Sequence, residues 1–345
     1  MALGRRVTVA LDGYGAEQGF DVLAEGARLA AADGIGVRVF GPERELGLDG
    51  VEGVEVVATR EWIGNDEDPV PAVRAKPEAS VVRAARDVAD DAADALVSPG
   101  STGATMAAAT FGLRRLKGVQ RPALAVQVPV PGKPVLFLDV GANVEGRAQH
   151  LVQFAFLGAA FSAAVLDVEN PSVGLLTVGE EAGKGREEVV EAHRLLSAAP
   201  GIEFAGNVEG RDLPAATVDV VVTDGFTGNV ALKLMEGTAK TVAGAVGDAA
   251  RSNPVSALGG LLLKPALGGL RRELHPDSTG GAILLGLRGT AVVGHGSSGA
   301  DGIANAVRLA ARCAEVDAVG RTAALLREGG ASRSALAEAA PVEAS

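Results

Sequence analysis

The segment 218–233, VDVVVTDGFTGNVALK, constrains the fold of this chain more than any other stretch. Val218 to Thr223 is rich in β-branched residues and shows no polar alternation, the pattern of a parallel strand covered on both faces. Asp224-Gly225-Phe226-Thr227-Gly228-Asn229 follows, and then a helical pattern begins. A strand that passes through a glycine-hinged turn into a helix aims unpaired N–H groups, and the positive end of a helix dipole, beyond the strand's carboxyl end. That arrangement suits an anion such as phosphate. Val97-Ser98-Pro99-Gly100-Ser101-Thr102-Gly103-Ala104 is built the same way, as is Leu138-Asp139-Val140-Gly141-Ala142-Asn143. The three units are expected to line one crevice for a phosphate-bearing or oxyanion ligand.

Strand and helix signals alternate elsewhere too. Strands are predicted at Val7–Leu11, Val37–Phe40, Val54–Ala58, Ala95–Ser98, Leu124–Val128, Val135–Val140, Val173–Val178 and Phe204–Val208. Helices are predicted at Gly19–Ala31, Glu78–Asp91, Ala148–Val165, Arg186–Ala198, Val230–Arg251 and Gly302–Arg327. Alternation of this kind implies a mostly parallel sheet with helices on both faces, a three-layer α/β/α fold. With 345 residues, 47% of them hydrophobic, the chain can bury a large core. A single domain is expected over residues 1–330, with a flexible, Ala/Ser/Glu-rich tail at 331–345.

Residues 253–274 depart from the alternation. They are strongly apolar, carry Pro265 and glycine pairs, and are tipped with Lys264, Arg271 and Arg272. Two readings are open. One is a broken helix in the core or at a dimer interface; the other is an apolar helical tip whose Leu258, Leu261, Leu262, Leu263, Lys264 and Leu267 touch anionic lipid.

Several function classes are disfavoured. A net charge of −11 argues against a general nucleic-acid binder. The single Cys313 excludes an intrachain disulfide and lies in an Ala-rich helical stretch, as a buried small hydrophobe would. No CxxC, HExxH or histidine cluster is present, so neither a metal nor a cofactor is expected. No signal-peptide pattern precedes the first strand, and no stretch reaches the ~18 apolar residues of a membrane span. The chain is therefore expected to be cytoplasmic.

Taken in order, the motifs resemble the bacterial acyl-acyl-carrier-protein:phosphate acyltransferase family known as PlsX. The resemblance rests on Val9-Ala-Leu-Asp12, Ala72-Val-Arg-Ala-Lys-Pro-Glu-Ala-Ser80, Ser98–Ala104, Arg121-Pro-Ala-Leu-Ala125, Leu138–Asn143 and His150-Leu-Val-Gln-Phe154. It continues through Gly179-Glu-Glu-Ala-Gly-Lys-Gly185, Gly206–Asp212, Asp224–Asn229, Leu263-Lys-Pro-Ala266, Gly280-Gly281 and Gly294-His-Gly-Ser-Ser298. It covers the chain to about residue 313. It implies a fold similar to isocitrate and isopropylmalate dehydrogenases, and a homodimer bound peripherally to the membrane through the apolar tip. The implied reaction moves a fatty acyl group from acyl-carrier protein to inorganic phosphate, giving acyl phosphate for phospholipid synthesis. The chain departs from the family in its first loop, Asp12-Gly-Tyr-Gly-Ala-Glu17, where Asp-Ala-Met-Gly-Gly-Asp is usual. It departs again at Ser98-Pro-Gly-Ser-Thr-Gly-Ala104, where a serine replaces an amide.

The resemblance points to Lys184 and Asn229 as groups on phosphate or the developing oxyanion. By themselves Lys184 reads as a solvated loop lysine and Asn229 as a helix N-cap. Residues 179–185 are no nucleotide-binding P-loop, since the glycine spacing is one residue short and no Ser or Thr follows Lys184. His295 is a candidate to protonate a leaving thiolate, or else packs a glycine-rich turn. Ser101, Thr102, Gly103, Asn143, Gly225 and Gly228 are candidate phosphate-loop donors, with capping as the alternative for the first and fourth. Asp12 is expected to orient a loop. Arg114, Arg115 and Lys117 form a basic cluster that either docks an acidic carrier protein or is solvated. Two rival functions use the same turns: a short-chain acyl-coenzyme A phosphotransacylase, and a non-catalytic scaffold for carrier protein or membrane. A dehydrogenase is disfavoured, because no GxGxxG follows the first strand.

Overall fold

The computed structural model describes residues 6–130, 133–273 and 276–338. Among them eleven strands form one sheet: β1 (Thr8–Asp12), β2 (Gly36–Gly41), β3 (Val54–Ala58), β4 (Ala95–Ser98), β5 (Ala123–Val128), β6 (Val135–Leu138), β7 (Ser172–Leu176), β8 (Glu203–Val208), β9 (Val220–Val222), β10 (Ala282–Leu285) and β11 (Thr290–Val293). Their order is β3-β2-β1-β4-β11-β10-β5-β6-β9-β7-β8.

The strands alternate small and branched apolar side chains between the two faces, as a doubly covered sheet requires. Val9, Leu11, Leu136, Leu138, Val220 and Val222 point into one core. Ala10, Val135, Phe137 and Val221 point into the other. Helices Phe20–Ala32, Ala148–Val165, Glu187–Ala198, Ala300–Glu315 and Ala318–Glu328 cover the first face. Helices Pro69–Ala75, Ser80–Ala89 and Thr102–Leu113 cover the second, joined by Ala231, Leu232 and Met235 of the long helix Gly225–Arg251. The expected three-layer, mostly parallel fold is present.

Strand direction decides where the loops go. β3-β2-β1-β4-β11 form one parallel block and β6-β9-β7-β8 another. Between them β11–β10, β10–β5 and β5–β6 pair antiparallel. Three reversals leave the second block running opposite to the first. Ala282 of β10 is level with both Val293 and Val126, while Leu138, the end of β6, lies opposite Ala125. The carboxyl ends of β1, β4 and β11 therefore lie on one sheet edge, here the first edge. Those of β6, β9 and β7 lie on the other, the second edge. The single crevice expected from the sequence is split between them.

Four local differences have physical causes. The helix predicted to start at Val230 starts at Gly225, because Asp224 caps it. The helix predicted over Gly302–Arg327 is two helices, broken where Asp317 takes a left-handed φ of 50° and accepts from Gly320 N at 3.0 Å. The tail expected to fray from Ala331 instead packs Ala331 and Leu336 into the core, and Arg333 N donates to Gly118 O at 2.9 Å. Residues 339–345 lie outside the described ones. Ala148–Val165 is long and apolar enough to cross a membrane, alone among the described residues in this. It is 83% buried, and its buried Gln153 is satisfied by Gly118 O, Ala331 O and Gln120 N.

The apolar segment is one arm of a helical hairpin. Gly225–Arg251 and Pro254–Glu273 pack against each other across a turn where Asn253 Oδ1 accepts from Ser256 N at 2.9 Å. Pro265 does not break the second helix. It lies on an exposed face, where water can satisfy the carbonyl that loses its partner. Leu258, Leu261, Leu262, Leu263 and Lys264 are all exposed, and Val255 is 81% exposed. The Leu267 side chain lies outside the described residues, as does His275.

Candidate functional site

The second edge is organised by Asp139, a carboxylate wholly excluded from solvent. Oδ1 accepts from the N–H groups of Leu124 (3.0 Å), Gly141 (3.2 Å) and Ala142 (2.9 Å). Oδ2 accepts from Asn143 N and Asn143 Nδ2, each at 2.8 Å. Burial pushes this carboxyl above its ordinary range, and the bonds from Ala142, the Asn143 amide, Leu124 and Gly141 pull the other way. Asn143 Nδ2 also donates to Pro122 O at 2.7 Å. Both amide hydrogens are thus engaged within the loop, so Asn143 orders the turn, and its own carbonyl receives Gly225 N at 2.8 Å.

This contact explains the two glycines. A Cβ on Gly225 would stand 2.5 Å from Asn143 O, and one on Gly228 1.9 Å from Asp139 O. The start of the long helix therefore lies against the Asp139 loop as only glycine permits. Asp224 caps that helix: Oδ1 accepts from Thr227 N at 2.9 Å and Oδ2 from Thr227 Oγ1 at 2.8 Å. Asp224 also pairs with Arg186. Asn229 is not the cap. It sits in the second helical turn, exposed, with its amide free of the capping network.

Lys184 comes from the loop after β7, next in the sheet to β9. Its backbone is pinned by Lys184 N to Glu181 O (2.9 Å) and Thr177 Oγ1 to Lys184 O (3.3 Å). Its stem crosses Gly179, where an added Cβ would stand 3.0 Å from Lys184 Cγ. Glu180 and Glu209 are engaged by Arg211 at 3.0 and 3.3 Å. Among the described residues no carboxylate pairs with Lys184, which leaves its ammonium available.

The first edge is organised by Asp12, also buried, but through hydroxyls. Oδ1 accepts from Ser80 Oγ at 2.6 Å and Tyr14 N at 3.3 Å; Oδ2 accepts from Ser98 Oγ at 2.7 Å. Burial raises this carboxyl too, against those bonds. Ser98 Oγ in turn accepts from Thr105 Oγ1 at 3.0 Å and Gly100 N at 3.2 Å. Ser101 caps helix Thr102–Leu113 by accepting from Ala104 N at 3.4 Å. Thr102 is exposed, and Gly103 abuts Pro69. Gly294–Ser298 joins them through Glu17 N to Gly296 O at 2.8 Å. His295 is exposed, and its Nδ1 bonds Ser297 Oγ at 2.8 Å. Tyr14, in the altered loop, stacks on Trp62 at 5.1 Å and donates to Thr59 O at 2.9 Å.

So Asp12, Ser101, Thr102, Gly103 and His295 gather at one edge, and Asn143, Lys184, Gly225, Gly228 and Asn229 at the other. Helices Thr102–Leu113 and Gly225–Arg251 start from the two edges and cover the same face. Partly buried Met106, Val126, Ala282, Leu232 and Met235 belong to the core on that face. The sequence reading missed Asp139, Asp224 and Arg186. A usable signal was present, since aspartate three residues before a helical N–H is a standard cap. Cys313 is buried and its thiol is pushed up to about 12, so it is inert. Among the described residues no group of His, Cys, Asp or Glu could hold a metal ion.

The profile of a family described as fatty acid synthesis protein matches residues 7–321. A phosphate acyltransferase of Elusimicrobium minutum is 44% identical over 312 residues, covering 88% of this chain and 91% of that one. Phosphate acyltransferases of Leptospira biflexa and Streptococcus pneumoniae are 43% and 41% identical and cover 89% and 91% of this chain, 93% and 97% of their own. Among solved structures, a phosphotransacetylase from Streptococcus pyogenes superposes with a TM-score of 0.60 at 17% identity, covering 91% of this chain and 95% of that one. The EutD phosphotransacetylase from Staphylococcus aureus gives 0.58 at 17% identity, with 90% and 95% covered. At that identity the structures report a shared fold.

Proposed function

The chain belongs to the fatty acid synthesis protein family, whose relatives at 41–44% identity are phosphate acyltransferases, and from that premise we propose how its second edge carries out acyl transfer to phosphate. The enzyme is a phosphate acyltransferase. Its acyl donor is the thioester of an acyl-carrier protein. The observation that supports this assignment of the site is an unpaired Lys184 on the loop that also supplies Arg186, the partner of the Asp224 cap at a glycine-tight helix start, which sets a cation near the positive end of a helix.

Phosphate sits against the first turn of Gly225–Arg251, with Lys184 as point charge and the Asn229 amide as donor. A phosphate oxygen attacks the thioester carbonyl carbon. The C–O bond forms, the carbonyl becomes an oxyanion held by Lys184 and Asn229, and the C–S bond then breaks to release the carrier's thiolate. A thiol with a pKa of about 8.5 leaves readily without a general acid. His295, at the other edge, is not needed for that step. Asp139 and Asp224 are positioning residues: they fix the loop and the helix start on which the donors stand. The acyl chain lies along the partly buried apolar surface between the two helices.

Two covers complete the reading. A second copy of the chain covers Val230, Leu234, Val242 and Val246, exposed along the long helix. An anionic bilayer takes Val255, Leu258 and Leu261–Leu263 with Lys264 at the hairpin, which makes the enzyme cytoplasmic and peripherally membrane-bound. The test is phosphate-dependent release of free thiol from acyl-carrier protein, with Lys184→Ala alongside. Acyl phosphate that forms with the parent and collapses in the variant supports the reading. Turnover with acyl-coenzyme A alone transfers it to a phosphotransacylase, and no turnover with either donor overturns it.

A further inference from the structure

At the second edge, next to the Asp139 loop, opens a cavity of about 1250 Å³. Arg114, Arg115, Arg121, Arg147 and Arg333 line it, brought together from three separate stretches of the chain. Among the described residues Glu145 is the only carboxylate in the lining. On a chain of net charge −11 this is a local reversal of sign. Among the described residues none of the five guanidiniums pairs with a carboxylate. Arg121 and Arg147 add to burial in holding the His150 imidazole below its ordinary range, which reports a positive field inside the cavity. The walls are fixed from behind. Arg115 binds Gln120 O, Arg288 N donates to Arg114 O at 3.0 Å, and Arg333 N anchors to Gly118 O. All five cations are arginine, the side chain that binds phosphate and carboxylate oxygens two at a time. The volume exceeds what inorganic phosphate fills and sits at the upper end of small-ligand pockets, on the order of 1,000 Å³. Ala142 and Asn143, which line the cavity, continue into the Asp139 loop against the helix start.

We propose that this arginine-lined cavity is the docking seat of the acyl donor's protein, an acidic carrier whose phosphopantetheine phosphate and neighbouring carboxylates enter it while the arm runs past Asn143 to Lys184. This rests on the acyltransferase reading above. It revises the basic cluster seen in sequence: Arg114 and Arg115 stay, Lys117 is not in the lining, and Arg121, Arg147 and Arg333 join.

The test is the double variant Arg114→Ala/Arg121→Ala, both exposed positions, against a charge-matched control, Arg28→Ala/Arg44→Ala, outside the cavity. Anisotropy of a labelled holo-carrier protein measures binding without turnover, and thiol release measures KM and kcat. The expected result is a Kd and KM for acyl-carrier protein raised about tenfold or more in the double variant only, with kcat within about twofold. The KM for inorganic phosphate should not move, and the parent's affinity should fall with salt more steeply than the variant's. Carrier affinity equal in parent and variant overturns the proposal. So does a rise in the phosphate KM alone, or an equal rise with acyl-coenzyme A, since either makes the cavity a small-anion site. A parent that binds carrier through these arginines but releases no thiol sinks the catalytic reading and leaves the docking seat standing.

Discussion

The two sheet edges solve one problem differently. Each places a buried aspartate at a strand end, ties a glycine loop to it, and starts a helix nearby. At the first edge Asp12 is satisfied mainly by the hydroxyls of Ser80 and Ser98. At the second, Asp139 is satisfied by four backbone N–H groups and one amide of its own loop. A hydroxyl can turn and donate elsewhere; a backbone N–H cannot. The second edge is therefore the more rigid, and it leaves Lys184 and Asn229 outside its internal network. The two lysines differ as well: Lys76 near the first edge is consumed by Glu67 at 2.7 Å, whereas among the described residues Lys184 has no such partner.

The largest expected effect would break this comparison if it came out reversed. Lys184→Ala should lower kcat/KM for phosphate-dependent thiol release between about 100- and 1,000-fold, the usual cost of removing an oxyanion donor. His295→Ala should cost less than about tenfold, because the histidine stands at the other edge. A His295 effect as large as that of Lys184 would move the chemistry to the first edge, or require both edges to meet across two copies.

A second pair compares the buried carboxylates. Burial raises both, so replacing either by an amide relieves a similar charge penalty, and the difference reads the donors. Asn at position 12 can donate to Ser80 once its hydroxyl turns, whereas Ser98 Oγ already accepts twice. Asn at position 139 points an NH₂ at N–H groups that have no freedom. By urea unfolding, Asp139→Asn should cost about 2 kcal/mol or more and Asp12→Asn within about 1 kcal/mol. Equal costs would remove the distinction between a rigid and an adaptable edge.

How much of this was legible in the sequence follows from which signals are local. Doubly buried strands such as Val135–Leu138 and Val220–Val222 announce themselves as apolar runs, and the helix faces by their period. β10 and β11 did not: four residues each, between Gly281, Gly286, Gly289 and Gly294, they carry too little pattern for a strand to be read. Those strands carry two of the three antiparallel pairings that reverse the sheet. Missing them turned two edges into one expected crevice. Two of the three turns are strand–glycine–helix units as expected, after Ser98 and after Val222, whereas residues 139–147 part Leu138 from the helix at Ala148; the relative placement of the turns depends on strand direction, which no local pattern encodes. The cavity shows the same limit. Arg114, Arg115 and Arg121 stand close in sequence, while Arg147 and Arg333 reach them only through the fold.

The smallest expected effect sharpens the comparison at the helix starts. Asp224 makes two bonds to Thr227 as cap of Gly225–Arg251, at 2.9 and 2.8 Å, and is almost wholly buried. Ser101 makes one long bond, 3.4 Å, as cap of Thr102–Leu113. Replacing a cap by alanine costs most where the bond is short and its donor cannot turn to water. Arg186, paired with Asp224, is itself mostly exposed, so its loss of a partner adds little. Asp224→Ala should therefore lower stability by about 1–2 kcal/mol, and Ser101→Ala by about 0.5 kcal/mol. The activity readings should diverge further than the stabilities. Asp224→Ala loosens the turn that carries Asn229 and should raise the KM for phosphate, while Ser101→Ala should leave it unchanged. A Ser101 variant that alone weakened phosphate binding would show that the anion rests on the helix at the first edge, and that the helix start at the second is only a tightly packed end.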